Sequence, residues 1–331
     1  MINKSPLFSI IVPAFDVEEQ IEKCLNSVFT QIFRDFELIV IDDGSTDRTQ
    51  EKILSLMNLF PGQLKLITQK NSGVSAARNK GISLASGQFI LFLDGDDYLS
   101  NRHLLNLSKI LPTDSFISIF NKINILQNNS VRPTRIGKKM SQSVISIDQA
   151  IEFCLDDQSF RGWPVNKVFS RDIILKHQVQ FNEQIHQRED RLFCVEYFLA
   201  AKLEDPDKKI LIIDQPTYYY VMRDSSQTHQ VNEKTFSLLQ AQALINQKTN
   251  HLSSRVDQLN RVKSINDVCY CYLYGKKLKI NNQLMDQIIS NLLSDFWSNL
   301  LFLTIKSGQT IRNRVRLSLL FLKIWRLEKT K

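Results

Sequence analysis

No stretch of this 331-residue sequence approaches the ~18 uninterrupted apolar residues that a membrane-spanning helix needs. The opening residues, MINKSPLFSIIVPAFD, lack the layout of a signal peptide, because the apolar run is short and leads straight into motif-like sequence. Cysteine is scarce: Cys24, Cys154, Cys194, Cys269 and Cys271 are odd in number and scattered. Cys269 and Cys271 have no second pair at zinc-finger spacing, so free thiols in a reducing compartment are expected rather than a metal site. Glycine is scarce as well, with ten residues, and no G-x-G-x-x-G follows the first apolar run, which disfavours a dinucleotide-binding domain. These absences lead to the expectation of a cytoplasmic protein.

Hydrophobic residues make up 43% of the chain and charged residues 23%, ordinary values that allow one large domain with an extension, or two domains. The net charge of +8 is uneven: Asn232 to Lys331 holds sixteen Lys/Arg against six Asp/Glu, a net +10, leaving −2 for everything before. A basic C-terminal third points to an anionic surface or an acidic neighbour. Nothing beyond that charge supports nucleic-acid binding.

From Phe8 onward, short apolar β-branched runs alternate with helical periodicity. Phe8–Val12 reads as a strand stopped by Pro13, and Asp16 as the cap of a helix over 18–29. Phe36–Ile41 is a second strand, with Asp47 or Thr46 starting the next helix; Leu64–Thr68 is a third. A helix over Ser75–Leu84 then leads to the apolar run Phe89–Leu93. Such alternation implies βαβ units and a mainly parallel sheet. Six of the ten glycines fall between Gly44 and Gly95, where tight turns and close ligand approach would need them. Further on, Ile147–Leu155 reads as a helix, Asp190–Ala201 as an amphipathic helix and Ile210–Ile213 as a short strand.

The sharpest local feature is the end of Phe89–Leu93. It runs into Asp94, Asp96 and Asp97 with only Gly95 between them. Open α/β sheets place ligands at the carboxyl ends of their strands. Acids this close repel one another unless a cation neutralises them, and hard oxygen ligands suit Mg²⁺ or Mn²⁺. A solvated Asp-rich turn is the plain alternative.

Together, VPAFD (12–16), DDGSTD (42–47), NSGVSAARNKG (71–81), LDGDD (93–97) and RED (188–190) resemble inverting nucleotide-sugar glycosyltransferases of the GT-A fold, family 2. The resemblance covers roughly Ser9 to Ser226, with the motifs in the expected order. It implies a Rossmann-like mixed, mainly parallel sheet with flanking helices, and transfer of a sugar from a UDP-sugar to a glycan, lipid-linked or glycoprotein acceptor. Pro13, Ala14 and Phe15 would line the uridine, and Asp43 would accept from the uracil N3–H. Arg78 and Arg223 would serve the nucleotide or its phosphates. Asp94 and Asp96 match the DxD motif that holds Mn²⁺ or Mg²⁺, with Asp94 also near the ribose. Asp190 would be the general base, with Glu189 beside it. Trp163 and Lys167, in GWPVNKVF, would belong to a sugar- or acceptor-side wall. Asp16 stands where the family usually has Asn, and Val221 where it has a first Arg.

Beyond Val231 the resemblance fades. The expected division is a catalytic domain over 1–231 and a mostly helical basic region over 232–331. On a wheel from Ile311 to Leu327, Arg312, Arg316, Lys323 and Arg326 share a sector beside a broad apolar one that includes Trp325. Packing within the chain or in a homo-oligomer is expected ahead of peripheral contact with an anionic membrane. Two other readings stay open, a non-catalytic nucleotide-sugar-binding scaffold and an NDP-sugar nucleotidyltransferase. The second is disfavoured by the absence of a Gly-rich basic loop after the first strand.

Overall fold

The burial pattern of the first strand shows why the sheet forms where it does. FSIIVPA, β1 (Phe8–Ala14), is buried at every position, as a strand covered on both faces must be. A computed structural model describes residues 5–60, 62–111, 116–127, 130–133, 144–157, 160–222, 233–278 and the single residues 302, 318, 319 and 322. The chain divides into two units, Met1–Glu183 with Phe193–Ser226, and Gln184–Leu192 with Gln227–Lys331.

In the first unit, α1 (Ile21–Phe29), β2 (Phe36–Asp42), α2 (Thr49–Leu59), β3 (Leu64–Thr68), α3 (Val74–Leu84) and β4 (Phe89–Phe92) follow β1 in strict alternation. Strands β2 and β4 pair with β1 in parallel on either side, and β3 pairs with β2, giving the order β3-β2-β1-β4. The chain therefore winds outward from β1 to β3 and returns across it to β4. Between β1 and β4 the winding reverses, and the carboxyl ends of such a pair open a ligand crevice. Helix α3 lies close enough on β1 that a Cβ at Gly81 would meet Ile11 Cγ2 at 2.3 Å, so only glycine fits there.

The sheet continues through β5 (Tyr98–Leu99), β6 (Phe116–Gln127), β7 (Ser130–Pro133), β8 (Val144–Ser146), β9 (Lys167–Ser170) and β10 (Lys209–Val221) into a mixed, ten-stranded whole. Helices α4 (His103–Ser108), α5 (Ile147–Leu155), α6 (Arg171–Lys176) and α7 (Glu189–Glu204) flank it. Phe92, Phe169, Phe181 and Phe193 form one aromatic cluster, with Phe181 and Phe193 stacked at 4.0 Å. Helix α5 has the capping box its sequence offers, Ser146 and Gln149 bonding reciprocally.

Several elements differ from the sequence reading. β1 runs on through Pro13 to Ala14. The short strand expected at Ile210–Ile213 is the first part of the thirteen-residue β10, which crosses an irregularity before Tyr218 where Pro216 withholds an N–H. Helix α1 begins at Ile21, and Asp16 caps something else: at φ 48° its Oδ1 accepts from the Thr46 amide at 2.7 Å, tying the loop after β1 to the loop after β2. All five cysteines are buried free thiols.

His103 offers a test of this packing. It is 3% exposed, its Nδ1 lies 2.7 Å from Thr217 Oγ1, and burial lowers its pKa from 6.5 to about 4. As pH falls through 6.5 the unfolded chain takes up a proton that the folded chain refuses until about pH 4. Stability is therefore present above that window and lost within it, at up to ~1.4 kcal/mol per pH unit. His103→Asn is expected to remove this part of the pH dependence, read from urea unfolding of both proteins between pH 6.5 and 4. Identical slopes would contradict it.

The second unit contains α8 (Ser237–Thr249) and α9 (Ser254–Leu278), joined by a short link and packed through a polar seam. Asn260 Nδ2 donates to Thr249 Oγ1 at 2.7 Å and Asn246 Nδ2 to Ser264 Oγ at 3.0 Å. No helix among the described residues is long and apolar enough to cross a membrane. The basic helix expected over 311–327 lies outside the described residues except for Ser318, Leu319 and Leu322.

Candidate functional site

Because β2, β1 and β4 are parallel neighbours, their carboxyl ends bring three sequence motifs side by side. Pro13 and Ala14 are buried at the end of β1, and Phe15 follows half-buried. Asp42 ends β2 and Asp43 follows it, its amide donating to Ala14 O at 2.8 Å. β4 delivers half-buried Asp94 and Asp96 and fully buried Asp97.

Asp43 is 3% exposed and already bonded. Its Oδ1 accepts from Gln69 Nε2 at 2.8 Å and the Ser72 amide at 2.9 Å, and its Oδ2 accepts from the Gly73 amide at 2.8 Å. Gly73, at φ 92°, makes the left-handed step that lets these amides point inward before α3 begins. The carboxylate also complements the N-terminus of α3. Of roughly four acceptor positions on a carboxylate, the described residues fill three and leave one on Oδ2 for a ligand donor.

Arg78 is a buried helix residue, 3% exposed, whose Nη2 donates to Asp94 Oδ1 at 2.9 Å while its guanidinium lies 5.2 Å from the Phe181 ring centre. This residue, expected to serve the nucleotide or its phosphates, pairs here with the first acid of the DxD sequence. Packing of α3 on β1 sets that direction. Arg78 thus orients Asp94.

Asp97 anchors this loop to β10. Tyr218 Oη donates to its Oδ2 at 2.6 Å and the Val221 amide to its Oδ1 at 2.8 Å, while the Asp94 amide donates to Tyr218 Oη at 3.3 Å. Burial, then the charges of Asp96 and Asp94, push the Asp97 carboxyl well above its usual range, against the pull of those two bonds. Burial and the same three acids raise the Cys24 thiol on α1. Negative potential is concentrated here. Asp94 and Asp96 supply hard oxygen donors, but among the described residues no group of three or more His, Cys, Asp or Glu side chains could hold a metal by itself.

The GWPVNKVF segment is packed against its own neighbours. Lys167 is 2% exposed, and its Nζ donates to Arg161 O, Trp163 O and Asn166 Oδ1 at 2.7–2.8 Å. All three of its protons are used within the protein, so Lys167 shapes the turn. Trp163 is half-buried, stacked 5.9 Å from Tyr220 with the Arg161 guanidinium 4.6 Å from its ring. Its expected sugar-stacking surface already meets two side chains.

Glu189 and Asp190 open α7, both half-buried, in the segment that belongs with the second unit. Acids in a first turn suit the helix dipole. Arg223 lies outside the described residues. Sequence reasoning missed Gln69, Ser72, Tyr218 and Val221. The run of three tyrosines, one pointing to Asp97, one stacked on Tyr98 at 4.6 Å and one on Trp163, was the available signal.

Comparison with known proteins agrees with this layout. The chain is 30% identical over 226 residues to the poly(ribitol-phosphate) beta-glucosyltransferase of Bacillus spizizenii, covering 65% of this chain and 32% of that protein, so it spans about a third of that relative's length. The crystal structure of Staphylococcus aureus TarS residues 1–349 with UDP shares the fold at a TM-score of 0.67 and 20% identity, covering 98% of this chain and 91% of that one. GalNAc-T7, crystallised with UDP, GalNAc and Mn²⁺, shares it at a TM-score of 0.56 and 13% identity, covering 89% and 58%. Residues 9–177, half of the sequence and the part that carries β1 to β4 with their acidic ends, match the profile of Glycosyl transferase family 2, and the chain belongs to that family.

Proposed function

We propose that this chain transfers a sugar from a UDP-sugar to a hydroxyl of a glycan, lipid-linked or glycoprotein acceptor, with inversion at the anomeric carbon. The observation that carries this reading is the convergence of Ala14–Phe15, Asp43 and Asp94–Asp96 at the ends of three adjacent parallel strands. Pro13, Ala14 and Phe15 line the uridine. The open acceptor position on Asp43 Oδ2 takes the uracil N3–H, while the other three hold the loop before α3 in shape.

Asp94 and Asp96 would hold Mn²⁺ or Mg²⁺, which when bound supplies Lewis-acid stabilisation of the departing nucleoside diphosphate. The donor set fits a cation that arrives with phosphate oxygens, since Mg²⁺ is commonly held by one or two carboxylates plus substrate phosphates. Arg78 keeps Asp94 turned to that task. Asp97 stays with Tyr218 and Val221 and fixes the loop. Asp190 takes the proton from the acceptor hydroxyl as it attacks. Glu189 and Arg223 are proposed to assist on the acceptor and phosphate sides. The donor sugar would be one of the UDP-linked hexoses, in keeping with the UDP-bound neighbour of the same fold.

Thermal unfolding of the purified chain tests the donor side. UDP with Mn²⁺ should raise the unfolding midpoint, by the equivalent of ~2.7 kcal/mol at a hundredfold excess over Kd, and GDP or CDP should do so much less. Equal protection by all three nucleotides, or none by UDP, would contradict the assignment of Asp43 and the DxD pair.

A further inference from the structure

Arg188, two residues before the proposed base, is held in an uncommon conformation, and helix α9 holds it. Arg188 has φ 69°, in the left-handed region that a non-glycine residue keeps only when its surroundings impose it. Its Nη2 donates to Asp267 Oδ1 at 2.5 Å, an ion pair in which the Asp267 side chain is 2% exposed. Asp267 stands on α9 one turn beyond Lys263, which is 5% exposed, and the charges of Lys263 and of 6%-exposed Arg191 act on the same carboxylate. Arg191 lies on the first turn of α7. Three cations, two of them flanking Glu189–Asp190, are thus gathered on one buried acid from a helix far along the chain.

Helix packing alone gives no reason for this cluster. Burying charges carries a desolvation cost, and apolar residues of similar volume often serve stability as well. The pair is also made with one bond where two are available: among the described residues, Arg188 Nε and Asp267 Oδ2 have no hydrogen-bond partner. Those are the two atoms that a side-on bidentate arginine–carboxylate pair would join.

We propose that Asp267 is a positioning residue for the transfer reaction: through Arg188 it imposes the left-handed turn that starts α7, and so fixes the direction in which Asp190 meets the acceptor hydroxyl. This rests on Asp190 being the base. It gives α9 a part in the chemistry, beyond the packing or surface attachment that its sequence suggests. Misplacing a catalytic group by about an ångström costs up to ~10²-fold.

A double-mutant cycle on the full chain tests it, with UDP release measured across a panel of UDP-sugars. Asp267→Asn keeps the shape and removes the charge. It is expected to lower kcat roughly 10- to 100-fold with the donor KM within about twofold of wild type. In an Asp190→Asn background the same change should cost nothing further, because its effect passes through Asp190. The charge swap Arg188→Asp with Asp267→Arg should recover part of the loss relative to either single change. Wild-type kcat in Asp267→Asn would overturn the proposal, as would an equal loss in both backgrounds, which is the mark of a general structural role. Wild-type turnover in Asp190→Asn would overturn the base assignment itself. Loss in Asp190→Asn with none in Asp267→Asn would remove the positioning role alone.

Discussion

Asp190→Asn should slow sugar transfer by on the order of 10²–10⁴-fold, the usual contribution of a positioned general base. The substitution keeps the side chain's size and removes only its capacity to take a proton. Asp190 stands at the start of α7 beside Glu189, where a helix N-terminus would favour an acid whether or not it was catalytic. Turnover and nucleotide binding have to be measured together for that reason. A base that meets the acceptor leaves UDP affinity unchanged when neutralised. A residue that serves the donor or merely caps the helix lowers affinity or stability instead. UDP binding within about twofold of wild type alongside a large loss of kcat is the expected pattern, since an interaction made only in the transition state lowers kcat without touching binding. Comparable losses in both would make Asp190 a donor-site or structural residue.

The second large effect belongs to Asp96. Asp96→Asn should reduce transfer roughly a thousand-fold or more, the scale of several kcal/mol of charge stabilisation at the leaving group. The fold should survive, because Asp96 is half-buried while the bonds that anchor its loop are made by Asp97 to Tyr218 and Val221. Relief of repulsion among Asp94, Asp96 and Asp97 would if anything steady the loop. EDTA should suppress the wild-type enzyme to a similar degree, and Mn²⁺ or Mg²⁺ should restore it. Cation affinity without nucleotide should be weak, since no third acidic, histidine or cysteine ligand joins the pair among the described residues. Full activity in EDTA would remove the metal role from Asp94 and Asp96 together.

Much of the donor half of the fold was legible because its signals are local. Short runs rich in apolar and β-branched residues, set between turn signals, are enough to place strands β1 to β4, and the acids follow directly on β2 and β4. What the sequence does not show is which side chains meet once the elements pack. The pairing of Arg78 with Asp94, just past the next strand, has no local signal in the sequence. Lys167, expected on a sugar- or acceptor-side wall, is enclosed by oxygens of Arg161, Trp163 and Asn166, all within six residues of it. β10 was read short because Asp214–Gln215–Pro216–Thr217 has the composition of a turn, yet pairing with β6 carries the strand across it. Nothing in the spacing between Arg188 and Asp267 announces that they meet.

The most direct test is the anomeric configuration of the first sugar product, followed by ¹H NMR in real time during hydrolysis or transfer from an α-linked UDP-hexose. One base acting opposite the leaving group gives the β-anomer before mutarotation. The α-anomer as first product would mean retention, and would remove the role given to Asp190.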